Sequence, residues 1–428
     1  MDELLSDAFK RYRYLTSLDR AFLTELTYGV LRWRGRLDWA IHQLSKTPFG
    51  KIEPEIVNIL RLGLYQILFL SRTPVSAAVN ESSELAKKFR GRGGAGFVNA
   101  ILRFLLRQGK EIAYPDFNRE PALHLSVVHS HPYWLIQRWV KEMGIEKTIK
   151  LCTDNNRIPA LTLRTNTLKI NREELLRRLK EKGLNGLPCV FAEDGIRLED
   201  PPPTSELPLL REGFYIIQDE ASQLVTSILD PKPEEKILDA CAGPGGKTTH
   251  MAQRIKNEGE IVAIDLSREK LARVNEASHR LGIRIVRTRN GDSSTPLPFL
   301  REAKFDRILA DVPCTGFGTL RKNPDLKWKR DEGDIRRLSR LQFSILENIS
   351  RYLRPDGVLV YSTCTVFREE NEEVVGRFLE KHSDFDLDRV FAPLPGHCRV
   401  FIKDGYFKTF PDSEGMDGFF VARLIRRV

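Results

Sequence analysis

A chain of 428 residues is long for one hydrophobic core, so two or three domains with ample burial are expected. Six cysteines without a CxxC pair suggest neither a disulfide framework nor a thiolate zinc site. No basic-then-apolar leader opens the sequence and no apolar run reaches the roughly 18 residues of a membrane span, so a soluble cytoplasmic protein in a reduced compartment is expected.

The formal charge of +10 is uneven: residues 1–143 hold 21 Lys and Arg against 14 Asp and Glu. That balance suggests a polyanionic partner, although a mildly basic soluble domain would carry it too. Over 1–120 the segments "DRAFLTELTYGVLRWRGRLDWAIHQL", "EPEIVNILRLGLYQILFL" and "NESSELAKKFRGRGGAGFVNAILRFLLRQ" repeat apolar residues every three or four positions. They predict an all-helical domain, with Asp19 and Asn80 as caps and Gly91 to Gly96 as a break. Residues 121–215 read as a small α+β connector: strand "ALTLRTNTL", capped helix "NREELLRRLKEKG", strand "GIRLED", then the proline-rich "PPPTSELP".

From 216 to 428 the pattern is strand, loop, helix, repeated. The strands are "EKILDAC", "EIVAID", "IRIVRT", "FDRILAD" and "GVLVYST", with a helix over Arg268 to Leu281 among those between them. This alternation predicts a mostly parallel sheet covered on both faces, an α/β Rossmann-like domain. "CRVFIK" and "DGFFVARLI" are expected as two further strands in an antiparallel hairpin at the sheet edge.

The first strand of this domain runs into "LDACAGPGGKTTHMAQRI", where bare backbone can pass close to a ligand. A Walker A loop requires glycine five positions before Gly246, which is Cys241, and the GxGxxG dinucleotide fingerprint is absent. S-adenosylmethionine, with no phosphate but a carboxylate and an amine to seat in a tight turn, remains. Asp265 ends the second strand where a carboxylate could accept from ribose hydroxyls, Asp292 follows the third, and Asp311 ends the fourth. Singly, each Asp reads equally well as a turn former; the three together with the glycine loop aim four loops at the crevice beyond the strand ends.

Cys314 and Cys364 follow the fourth and fifth strands, and each precedes a threonine. Small buried cysteines are common, but this order of residues suits chemistry at carbon 5 of a pyrimidine. That carbon is a poor nucleophile until a thiolate has added to carbon 6, and a second group must then remove the carbon-5 proton. A paired base must leave its stack for this, and folded RNA offers unstacked cytosines. Arg321, Lys322, Lys327, Trp328, Lys329 and Arg330 form a basic, aromatic-bearing stretch suited to phosphates and a stacked base, or else a solvated helix start. Arg164 and Asn166 are further RNA-contact candidates.

"DACAGPGGKT", "DVPCTGFGTLRKNPDLKW" and "YSTCTVFREENEEVV" resemble the signature motifs of the RNA cytosine-5 methyltransferase family, the NOL1/NOP2/Sun group. "TYGVLRW", "VNESSELAKKF" and "FVNAILR" resemble the NusB-type helical domain of its bacterial Sun/Fmu branch, and "LTLRTNTLKINREELLRRLKEKG" the segment before the catalytic domain, so nearly the whole chain is covered. The resemblance implies a NusB-like RNA-binding domain, the connector, and a class I methyltransferase domain. It implies S-adenosylmethionine-dependent methylation of carbon 5 of a cytosine in 16S ribosomal RNA, naked or in a partial small-subunit particle; a monomer that binds no metal is expected, although nothing in the sequence itself fixes the oligomeric state. Transfer RNA as substrate and a catalytically idle assembly factor are the alternatives. The family pattern gives Cys364 the attack on carbon 6, Cys314 the release of product, and Asp311 the hydrogen bond to the cytosine ring. It gives the cofactor Cys241, Ala242, Gly243, Pro244, Gly245, Gly246, Lys247, Asp265, Asp292 and Asp311. Two departures stand out: the first helix is expected to be short or missing, and Asn323 stands where relatives often have histidine.

Overall fold

The computed structural model describes residues 2–301, 303–391, 393–411 and 415–427 and divides into two units. One runs to Arg157 and also contains Asn323–Lys329; the other comprises Ile158–Lys322 and Arg330–Val428. The helical unit thus extends past the boundary expected near 120, because 121–155 forms three more helices, Pro121–Val128, Tyr133–Met143 and Ile145–Asn155.

A ten-residue helix, Asp2–Arg11, precedes the first long one, Ser17–Leu44. The cap of the latter is Thr16, not Asp19. Thr16 Oγ1 accepts from the Asp19 N–H at 3.2 Å while the Asp19 carboxylate accepts from the Thr16 N–H at 2.9 Å, a reciprocal box that stabilises a helix start by about 1 kcal/mol. Asn80 likewise lies inside its helix, Val75–Arg107, which starts after Pro74. That helix bends at Arg90 and Gly91, within the expected glycine break, where Gly91 has φ +62°. Leu37, Ile41, Leu60, Leu64, Val98 and Leu102 bury the apolar faces against one another.

In the second unit β1 (Leu161–Thr165), β2 (Gly186–Pro188), β3 (Gly195–Leu198) and β4 (Tyr215–Ile217) form an antiparallel sheet in the order β2-β3-β1-β4, with helix Arg172–Glu181 packed on it. The larger sheet contains β5 (Lys236–Asp239), β6 (Glu260–Asp265), β7 (Val286–Asn290), β8 (Phe305–Asp311), β9 (Leu353–Thr363), β10 (Phe385–Leu387), β11 (Ile402–Lys403), β12 (Tyr406–Lys408) and β13 (Phe420–Arg426). Its order among the described residues is β11-β12-β13-β9-β8-β5-β6-β7, with β10 paired to β13. Strands β5 to β9 pair in parallel, and their alternating side chains feed two cores, one on each face: Ile237, Leu309 and Val360 on one, Leu238, Ile308 and Leu359 on the other. The expected terminal hairpin differs in detail. "CRVF" coils into a 3-10 helix, Gly396–Phe401, so the hairpin forms from β11 and β12, and β13 joins β12 to β9.

Strand order reverses at β5, whose neighbours are β6 and β8, so the loops after these strands open into one crevice. Register then fixes the key positions: Asp239 lies opposite Leu309, and Asp311 opposite Ser362, two residues before Cys364.

Candidate active site

The loop after β5 closes on itself. The Ala242 N–H donates to Ile264 O at 2.8 Å, and the Gly245 N–H donates to Ala242 O at 2.8 Å. Gly245 has φ +105°, which only glycine adopts without strain, and a Cβ on Gly243 would fall 2.4 Å from Lys270 Cβ and 2.8 Å from Asp265 Oδ2. The glycines therefore let the chain pass directly over the end of β6. Asp265 accepts from the Gly243 N–H at 3.0 Å and the Ser267 N–H at 2.8 Å, which orients its carboxylate and leaves further lone pairs on both oxygens. Asp292 is exposed, and its Oδ1 accepts from the Ser294 N–H and hydroxyl at 2.9 and 2.6 Å. A bare-backbone turn flanked by two oriented carboxylates fits a ligand carrying an amine and vicinal hydroxyls. Burial keeps the Cys241 thiol protonated by pushing it well above the usual thiol range.

Lys247, one residue into helix Gly246–Arg254, reaches Asp311 at the end of β8: Nζ donates to Oδ2 at 2.6 Å, and the ammonium lies 5.1 Å from the centre of the Phe419 ring. Ser362 donates to the other oxygen of Asp311 at 2.7 Å. Beneath them the Asp239 carboxyl is fully buried, accepts from the Thr248 hydroxyl at 2.7 Å, and is pushed up to about 7 by burial.

Beyond β8 and β9 the two expected cysteines meet. Their sulfur atoms lie 3.3 Å apart, and the Cys364 N–H donates to Cys314 Sγ at 3.3 Å. The hydrogen bond with Cys364, reinforced by burial, holds the Cys314 thiol well above its ordinary range. The loops are tied together elsewhere too, since the Gly318 N–H donates to Cys364 O at 2.9 Å.

Of the eight expected RNA contacts, burial takes Arg164, Asn166, Arg321 and Lys327 out of reach of a polynucleotide, while Lys322, Trp328 and Arg330 are half-buried and Lys329 is exposed. Arg164 is 1% exposed and donates to Gly246 O at 2.6 Å, to Thr249 Oγ1 at 3.0 Å and to Gln218, so it braces the glycine loop. Asn166, also buried, donates to Gly213 O and Leu281 O at 2.8 and 2.9 Å. Arg321 is buried against Gly415 O and Met416 O, and Lys322 is held by Asp219 and Asp417 at 2.5 and 2.8 Å. Lys327 is wholly buried in the helical unit and the half-buried Trp328 donates to Leu31 O at 2.7 Å. Arg330 is half-buried beside Asp334; only Lys329, ion-paired with Asp325, keeps a largely exposed side chain. Sequence reasoning missed Ser362, Phe419, Asp239 and the buried Glu370. The proximity of "REEN" to "TCT" was the one available signal for Glu370.

Family models match three stretches of the chain: the NusB family over residues 1–107, the Methyltr_RsmF/B-like ferredoxin-like domain over 131–205, and 16S rRNA methyltransferase RsmB/F over 226–425. Their order is that of the expected fold class. The probable ribosomal RNA small subunit methyltransferase B of Bacillus subtilis (strain 168) is 38% identical over 416 residues, which are 96% of this chain and 92% of that protein. Its counterpart from Synechocystis sp. is 37% identical over 414 residues, 96% and 92% of the two chains. Among solved structures, the crystal structure of PH0851 has a TM-score of 0.84 at 29% identity, covering 98% of this chain and 93% of that one. NSun6 from Pyrococcus horikoshii with SFG gives 0.61 at 26% identity, covering 70% and 99%.

Proposed function

We propose, from the premise that this chain belongs to the 16S rRNA methyltransferase RsmB/F family, that it methylates carbon 5 of a cytosine in 16S ribosomal RNA through a transient bond from Cys364 to carbon 6. The methyl donor in this reading is S-adenosylmethionine, which supplies an electrophilic methyl group on a sulfonium. The observation that carries the reading is the 3.3 Å approach of two sulfur atoms at neighbouring strand ends, next to an aspartate and a glycine turn. Gly243 to Gly246, Asp265 and Asp292 are the residues suited to hold the donor.

Cys364, as thiolate, adds to carbon 6, and the displaced electron pair makes carbon 5 an enamine carbon able to take the methyl group. Asp311, held between Ser362 and Lys247, hydrogen-bonds the ring and supports the proton gained at nitrogen 3. Release requires the carbon-5 proton to leave and the sulfur–carbon bond to break. In this reading Cys314, as a thiolate or as relay to a base, takes the carbon-5 proton, and the electron pair of that C–H bond expels Cys364 as thiolate.

With transcribed 16S RNA, C364A should transfer no methyl group, and C314A should accumulate a protein–RNA adduct that survives a denaturing gel. Bisulfite sequencing of the RNA should show one new 5-methylcytosine with the unaltered protein. Normal turnover by C314A with no adduct would sink the division of roles.

A further inference from the structure

Each of the two cysteines precedes a threonine, and both threonines converge on one buried carboxylate. Glu370, in the 3-10 turn Arg368–Glu370 after β9, is 0% exposed. Its Oε1 accepts from the Thr315 N–H at 2.9 Å and from Gln342 Nε2 at 2.9 Å, and its Oε2 accepts from the Thr315 hydroxyl at 2.5 Å. The Thr315 and Thr365 hydroxyls bond each other at 2.8 Å. Gln342, on helix Glu332–Ile349, also donates to Pro313 O at 2.9 Å, the carbonyl just before Cys314. Asn371 closes the other side, donating to Thr365 O at 3.0 Å and accepting from the Thr363 hydroxyl at 2.6 Å.

Burying a carboxylate among neutral donors is costly unless every lone pair has work. Here Thr315, the residue after Cys314, supplies two of the three donors, and Thr365, the residue after Cys364, is bonded to its hydroxyl. We propose that Glu370 is a positioning residue that sets the separation of Cys314 and Cys364, and that it governs release of the methylated base more than attack on it. The asymmetry comes from the contacts. Glu370 holds the backbone and hydroxyl of the residue after Cys314 directly, whereas Cys364 is also anchored by Gly318 and, through its neighbours, by Asn371. The inference rests on the release role assigned to Cys314 above.

The test compares E370Q, T315V and T315S with C314A, using transcribed 16S RNA and S-adenosylmethionine. Glutamine places an NH2 group against the donors that the carboxylate accepts, so E370Q should slow turnover by roughly tenfold to a hundredfold. The KM for S-adenosylmethionine should stay within about twofold, because the donor's loop is untouched. Denaturation-resistant adduct should rise several-fold above that of the unaltered protein, an effect that simple loss of folded enzyme cannot produce. T315V, which keeps shape and N–H but loses the hydroxyl, should move in the same direction, and T315S should restore near-normal behaviour. If C314A traps adduct while E370Q and T315V lose turnover without it, the role of Glu370 is overturned and that of Cys314 stands. If C314A traps none, the assignment of Cys314 fails and this inference falls with it.

Discussion

Asp239 shows how much a single group can cost the fold at the pH where it works. Its carboxyl is pushed up to about 7 by burial, against about 3.8 for a free aspartate, so the folded chain favours the protonated form. Its contribution to stability is therefore complete below pH 4 and declines as pH rises toward 7. Between pH 5 and pH 8 the unaltered protein should lose on the order of 2 kcal/mol from this group. D239N, which can still accept from Thr248, should lose none of that share. Urea unfolding of both proteins at the two pH values measures the difference; an equal loss in both would refute the buried, proton-bearing state. Asp239 was visible in the sequence as the residue before "ACAGPGGK", but its environment was not, because it depends on residues from β8 and from the helix after the glycine turn.

At the level of elements, strand β1 and the glycine turn form one mechanical piece through Arg164. A lysine there offers one point charge where the guanidinium reaches three acceptors, so R164K should leave Gly246 O or Gln218 unmet. Stability should fall by about 2 kcal/mol, and S-adenosylmethionine should raise the melting temperature of R164K less than that of the unaltered protein. RNA affinity gives the contrasting readout. A lost phosphate contact would reduce the slope of log affinity against log salt by about one, whereas a buried brace leaves the slope unchanged. The alternation in "LTLRT" marked a strand correctly, but an arginine on a strand reads as a surface residue unless the opposing loop is known.

Across the chain, the segment Asn323–Lys329 belongs to the helical unit although its sequence neighbours on both sides lie in the other. Lys327 Nζ donates to Arg32 O, Ser130 O and Asn156 Oδ1 at 3.3, 3.2 and 2.8 Å, and Arg34 lies 5.4 Å from the centre of the Trp328 ring. Burial holds the lysine well below its ordinary range. W328A in the full chain should destabilise the helical unit by about 3 kcal/mol. Faster hydrogen exchange along Ser17–Leu44 would register the change; unaltered protection there would show that the ring adds nothing to this unit. No helix among the described residues is long and apolar enough to cross a membrane, and no cluster of three or more His, Cys, Asp or Glu among them is arranged to hold a metal ion.

Local pattern alone was enough to read the helical N-terminal part, the parallel strands, and the two cysteines beyond β8 and β9, because periodicity and strand-end motifs are properties of adjacent residues. It could not tell polar and basic residues that face solvent from ones that are buried, and so Arg164, Asn166, Arg321 and Lys327 read as RNA contacts. Burial is a property of what packs against a residue from elsewhere in the chain, as Leu31 does against Trp328 and Gly246 against Arg164. The 3.3 Å between the two sulfur atoms has the same origin: residues fifty apart in the chain meet because β8 pairs with β9.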